Sequence, residues 1–189
     1  ALKTALLEVA KLNKSNFMFT ATQNVIISDV ADKDKAAVEE VLRKFKIIEH
    51  TEGASLIRKN AIACVALPTC PLALAEAQRY MPEFISKIEP LLEKHGIADQ
   101  ELIVRMTGCP NGCGRSAASE IGFIGTHPGK YNLHIGGDNE GERLNTKYKE
   151  SLNEAELLTE MDSLFGQYKA ERNKGETFGD FSNRKQLVK

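Results

Sequence analysis

Two pairs of cysteines constrain this chain more than any other feature. Cys64 and Cys70 have five residues between them, and Cys109 and Cys113 have three. The second pair lies in Thr107-Gly108-Cys109-Pro110-Asn111-Gly112-Cys113-Gly114-Arg115, which is rich in glycine. Such a loop frees backbone amides to point at whatever the sulfurs hold. Any fold that uses both pairs must close the long excursion from Cys70 to Cys109, at about 3 kcal/mol plus a constant in an unfolded chain. Ligation by all four sulfurs offsets that cost, so losing the ligand should loosen the fold.

Four readings of the cysteines compete. Four in 189 residues are too few for a disulfide scaffold. The chain opens without a charged-then-apolar leader, and its first residue is Ala rather than Met, the mark of a processed or cut start. A reducing, cytoplasmic setting is therefore expected, where paired thiols point to metal. Structural zinc favours two to four residues between paired cysteines; the second pair fits and the first is one residue too long. An iron–sulfur cluster needs four thiolates and tolerates wider spacing because it is larger than one ion, although neither common ferredoxin run is present. Four unlinked buried thiols are the bland alternative. The flanks favour a cluster. Thiolates need positive surroundings; Arg115 supplies one charge, and Pro71 is placed to start a helix whose positive end would face Cys70.

Bulk properties exclude several classes. The net charge is -1, which gives no electrostatic case for nucleic acid or an anionic membrane. No apolar run approaches the roughly 20 residues that span a bilayer. No Ser/His/Asp arrangement, paired-carboxylate motif or nucleotide fingerprint stands out.

Along the chain, Leu2 to Leu12 reads as a helix, and Phe17–Thr20 and Val25–Ser28 read as short strands. Asp32 caps a helix from about Lys33 to Phe45. The order helix, strand, strand, helix is most of a ferredoxin-like split βαβ unit lacking one outer strand, with unpaired edges that want a partner. His50 to Asn60 is polar and turn-like, a boundary, with Arg58-Lys59 as a surface turn. Leu72 to Met81 is alanine-rich and reads as a helix that Pro82 breaks; Phe84 to Leu92 continues a helical face despite Pro90, up to Gly96. Leu102 to Met106 is a strand delivering the chain to the glycine-rich loop. Ser119–Gly125 and Tyr131–Ile135 form a hairpin about His127-Pro128-Gly129-Lys130. Gly136-Gly137 suits a close backbone approach, Asn153 to Tyr168 is an amphipathic helix, and Thr177 to Phe181 is a short last strand. Lys185 to Lys189 should be mobile. The fold class expected is α+β: a ferredoxin-like half-domain at 1–50, then an α/β cluster-binding domain at 51–189.

Thr69-Cys70-Pro71-Leu72-Ala73 followed by Thr107 to Arg115 resembles the sulfite and nitrite reductases that couple sirohaem to a 4Fe-4S cluster. The likeness continues through Tyr131-Asn132-Leu133-His134-Ile135-Gly136-Gly137 and Phe178-Gly179-Asp180-Phe181, which are most similar to the branch served by an NADPH-dependent flavoprotein in sulfur assimilation. Phe19 to Ile27 is similar to the second ferredoxin-like repeat of that branch. The resemblance implies that Cys64, Cys70, Cys109 and Cys113 bind the cluster, that Cys113 also bridges to the sirohaem iron, and that Asn111 contacts the macrocycle. It implies six-electron reduction of sulfite to sulfide, with the flavoprotein reductase component as electron donor and no nucleic-acid or membrane partner. Family members are much longer, and their sulfite-binding basic residues belong to a part preceding this one. Lys14, Lys44 and Lys149 offer no substitute and read as solvated charges. The isolated chain is therefore expected to be an inactive C-terminal portion. A ferredoxin-type sulfite or nitrite reductase and a non-redox zinc module remain the alternatives.

Overall fold

The structure is a computed structural model describing residues 1–138 and 140–188. Lys189, included in the expected mobile tail, lies outside the described residues. The chain divides into two compact units, Ala1–Ala54 and Ser55–Lys189.

The first unit follows the helix–strand–strand–helix order. Helix α1 (Leu2–Lys11) buries Ala5 and Val9, one turn apart on one face. Strands β1 (Asn16–Phe19) and β2 (Val25–Ser28) form an antiparallel pair with Phe19 opposite Val25. Met18, Phe19 and Ile26 leave large apolar surfaces exposed. Helix α2 (Asp32–Lys44) is not capped by Asp32: Ala31 holds the cap position, and Asp32 sits in the first turn, where its charge complements the helix dipole. A short helix, α3 (Ile47–Glu52), follows where a turn was expected.

The second unit is a five-stranded sheet in sequence order, β3 (Ile62–Ala63), β4 (Val104–Thr107), β5 (Ile121–His127), β6 (Lys130–Ile135) and β7 (Thr146–Leu152). The pairs β3–β4 and β4–β5 are parallel; β5–β6 and β6–β7 are antiparallel. The β5–β6 turn falls at Pro128-Gly129, with Gly129 at φ 70. Helix α4 (Leu56–Asn60) precedes the sheet, so Arg58 is not in a surface turn. Its guanidinium forks onto Glu89, with Nε 3.2 Å from Oε1 and a terminal nitrogen 2.8 Å from Oε2.

Helices α5 (Met81–Lys94) and α6 (Glu154–Glu171) run beside each other, joined by Lys87–Glu154 and Lys94–Asp162 ion pairs. Pro82 does not break α5 but occupies its first turn, where a missing N–H costs nothing. Pro90 does stand inside the helix, at a cost of about 3 kcal/mol. Burial of Phe84, Ile85, Ile88 and Leu92 offsets it at about 1.5–3 kcal/mol each. The helix ends in a Schellman motif: Ile97 N–H bonds Leu92 O (2.9 Å) and Gly96 N–H bonds Glu93 O (3.0 Å). Asn153 and Glu156 form a capping box at the start of α6.

Residues 177–181 are not a strand. Thr177 accepts from Asp180 N–H and starts α7 (Phe178–Arg184), whose Phe178 and Phe181 pack edge-on against Tyr168. Among the described residues no helix is long and apolar enough to cross a membrane.

Candidate cluster-binding site

The two cysteine pairs sit at the carboxyl ends of adjacent parallel strands, the side on which open α/β sheets place their ligands. Cys64 directly follows β3, and its N–H bonds Met106 O at 3.1 Å. Gly108 and Cys109 directly follow β4. The Gly108 N–H points at Cys64 Sγ, 3.3 Å away, so the first pair and the second loop already share an amide-to-sulfur bond.

The helix expected at Leu72–Met81 does not form. Leu74 and Ala75 give their N–H groups to Gly108 O at 2.8 and 3.0 Å, and Gln78 N–H goes to Cys64 O at 3.0 Å. Tertiary hydrogen bonds have displaced the alanine-rich segment's helical preference. Cys70 is therefore not at a helix start. Its N–H bonds Ala66 O at 2.8 Å and its carbonyl accepts from Ala73 N–H, which places it in a turn.

Close backbone approach ties the loops together. A methyl group on Gly108 would lie 2.6 Å from both Ala66 Cβ and Ala75 O. On Gly114 it would lie 2.6 Å from Met106 O and 3.0 Å from Cys64 N. The segment carrying Cys109 and Cys113 thus lies on the segment carrying Cys64 and Cys70. Cys109 is buried, Cys64 and Cys70 are half-buried, Cys113 is exposed, and all four thiols are free. Asn111 stands exposed between Pro110 and Gly112. Val65, Leu72 and Leu74, in the segment that carries Cys64 and Cys70, leave apolar surface exposed. Among the described residues no three or more His, Cys, Asp and Glu side chains are gathered tightly enough for a single ion.

The remaining candidates fall elsewhere. His134 pairs with Gly122 across β6 and β5 and is not among the thiol-bearing residues. Burial pulls its imidazole below the usual range, the Lys147 charge adds to this, and Asn145 opposes it. The close approach at Gly137 is to the chain itself: a methyl there would meet Ser119 O at 2.4 Å. Lys149 pairs with Glu160, and Lys14 lies 3.6 Å from Asp34. Sequence reading missed strand β7, a polar edge strand whose lysines discourage further pairing. It also missed Asn145, which ends the β6–β7 connection.

The fold and the loops together define a mixed α+β domain that presents thiols at the ends of parallel strands. The same fold occurs in the Mycobacterium tuberculosis NirA protein, with a TM-score of 0.77 and 24% identity over 96% of this chain and 35% of that one. The sulfite reductase [NADPH] hemoprotein beta-component of Leptospira biflexa is 56% identical over 188 residues, which is 100% of this chain and 34% of the relative. That of Shewanella denitrificans is 54% identical, covering 100% and 33%. The chain belongs to the family of sulfite reductase hemoprotein beta-components, and spans about a third of the length of the curated relatives it matches. No family model matches it.

Proposed function

We propose that this chain is the C-terminal portion of a cytoplasmic sulfite reductase hemoprotein, in which Cys64, Cys70, Cys109 and Cys113 hold a 4Fe-4S cluster. The observation that carries the reading is the packing of the two thiol-bearing loops on one another at the ends of β3 and β4. The donor set fits such a cluster. It has four free thiols on two adjoining loops and an amide already aimed at Cys64 Sγ. With sirohaem and cluster bound, the chemistry supplied is the six-electron, six-proton reduction of sulfite to sulfide.

The chain's own residues bind and orient. The Gly108 N–H stabilises charge on Cys64 Sγ, and such bonds tune a cluster. Cys109 is shielded, which suits a ligand to the cluster alone. Cys113 is exposed, so it would be the thiolate within reach of sirohaem as well as the cluster. Asn111, exposed in the same loop, would help hold the macrocycle. The apolar rim of Val65, Leu72 and Leu74 is covered by the preceding part of the same protein, which also brings the basic groups for sulfite. A flavoprotein reductase donates the electrons.

The test is iron, zinc and acid-labile sulfide content of the full-length protein, with its visible spectrum before and after dithionite. Iron with labile sulfide and a bleachable band supports the assignment. A colourless protein with one zinc overturns it. In the full-length protein Cys113→Ser abolishes coupling between the two centres, and ordinary turnover by that variant refutes the bridging role. The chain alone, given sirohaem and a reductant, produces no sulfide.

A further inference from the structure

The loop that carries the second cysteine pair is closed at both ends by a buried polar network. Thr107 precedes Gly108-Cys109, and Ser116 follows Gly114-Arg115; both are buried. Ser116 Oγ donates to Thr107 Oγ1 at 3.0 Å, joining the two ends directly. Ser116 Oγ also lies 3.3 Å from Phe123 O, which anchors the junction to β5.

Asn145 pins the same junction from outside the loop. It is 9% exposed, and its Nδ2 donates to Ser116 O and to Ser119 O, the latter at 2.9 Å. Its own N–H bonds Ala117 O at 2.8 Å. Both amide protons and the backbone proton are thus spent on one turn, residues 116–119. The site is built around the pin. A methyl on Gly122 would lie 2.4 Å from Ser116 O and 2.7 Å from Asn145 Nδ2, so only glycine leaves room there. A methyl on Gly137 would lie 2.9 Å from Asn145 N. None of these groups reaches a sulfur.

We propose that Asn145 and the Ser116–Thr107 hydroxyl pair are positioning residues, which close the Thr107–Ser116 loop and hold Cys109 and Cys113 in the arrangement the cluster requires. The proposal rests on the reading of those cysteines as cluster ligands. Outer-shell groups of this kind act on affinity and electronic structure through the ligands they orient.

The test uses the full-length hemoprotein. Thr107→Val keeps the shape and removes the hydroxyl, Thr107→Ser restores it, and Asn145→Asp turns a donor toward two carbonyls into an acceptor. Leu164→Ala, in the α6 core, serves as a variant destabilised elsewhere. Iron release to a chelator is timed, and electron paramagnetic resonance of the reduced cluster is recorded beside Tm. Thr107→Val and Asn145→Asp should release iron about ten-fold faster than the parent and shift the resonance. Thr107→Ser should return to parent values, and Leu164→Ala should lower Tm without moving either readout. Release rates and spectra in Thr107→Val that match Leu164→Ala at equal loss of Tm overturn the proposal. If Asn145→Asp does not fold, the Val and Ser variants at 107 decide it alone. A parent protein without iron and labile sulfide overturns the ligand assignment, and this proposal with it, before any variant is compared.

Discussion

Gly114→Ala tests the packing of the two thiol-bearing loops directly. Gly114 is not in the left-handed region, so the only objection to a side chain is space. An added methyl would lie 2.6 Å from Met106 O, 3.0 Å from Cys64 N and 3.1 Å from Thr107 Cγ2. The first two are backbone atoms of the β3–β4 junction, which cannot rotate away. They are also partners in one hydrogen bond, Cys64 N–H to Met106 O at 3.1 Å. The methyl is driven into that bond. Overpacking of this kind costs about 1–3 kcal/mol, and weakening the hydrogen bond adds about 1 kcal/mol. Alanine's smaller freedom in the unfolded chain returns about 0.4–1 kcal/mol. The net loss is about 2 kcal/mol, or roughly 8 °C in Tm at about 4 °C per kcal/mol for a domain of this size. Thermal unfolding measures the total. Amide hydrogen exchange at Cys64 and Gly108 locates it, because those amides should lose protection before the strands do. Gly129→Asn is the control: the hairpin position is open and has a positive φ that Asn tolerates, so stability should change by less than about 0.5 kcal/mol. Unchanged Tm and unchanged exchange in Gly114→Ala would refute the close approach of the loops, and with it the geometric case for a shared site.

Three further outcomes follow from interactions elsewhere in the second unit. Asn153→Ala removes the capping box at the start of α6 and should cost about 1 kcal/mol, measured by denaturant unfolding. Phe84→Ala leaves a cavity where Phe84 meets Phe123 edge-on at 5.2 Å and should cost about 3–5 kcal/mol by the same assay. Arg184 holds the Glu176 carboxyl down at about 2, against 4.5 in the unfolded chain. The stabilisation from that pair is therefore present above about pH 4.5 and is lost as pH falls through about 2. Acid titrations of the parent and of Glu176→Gln should differ at neutral pH and converge toward pH 2; a constant gap would contradict the pairing.

The elements most legible in the sequence were those in which local and tertiary preferences agree. Helix α6 announced itself through the spacing of Leu157, Met161, Leu164 and Phe165, which are all buried. The end of α5 was readable from Gly96, because a Schellman motif needs a left-handed residue there. The last helix was misread as a strand although its signals were present. Thr177 and Asp180 have capping spacing, and Phe178, Phe181 and Ser182 fall on one helical face. The glycine-rich loop was legible as one whose amides are free to point at the sulfurs. Its close approach to the Cys64 segment was not, since the partner surface lies far away in sequence.

The segment before α5 shows how the same residues support two readings. Pro71-Leu72-Ala73-Leu74-Ala75-Glu76-Ala77 is rich in good helix formers, and by propensity alone a helix is the better reading. Its burial instead alternates with period two. Ala75 and Ala77 are fully buried, whereas Leu72 and Leu74 are 65% and 45% exposed. The small residues face inward because Gly108 must come close: its own missing methyl would sit 3.2 Å from Ala73 Cβ and 2.6 Å from Ala75 O. Alternation of small and large residues over seven positions was a strand-like signal that propensity outweighed. Its physical meaning is specific to the site. The leucines are turned outward, while the alanines make room for the cysteine loop. Ala75 also belongs to the buried core and its methyl lies against Gly125 of β5, so a larger residue there should lower Tm and speed amide exchange at Leu74 and Ala75, whose N–H groups Gly108 O holds.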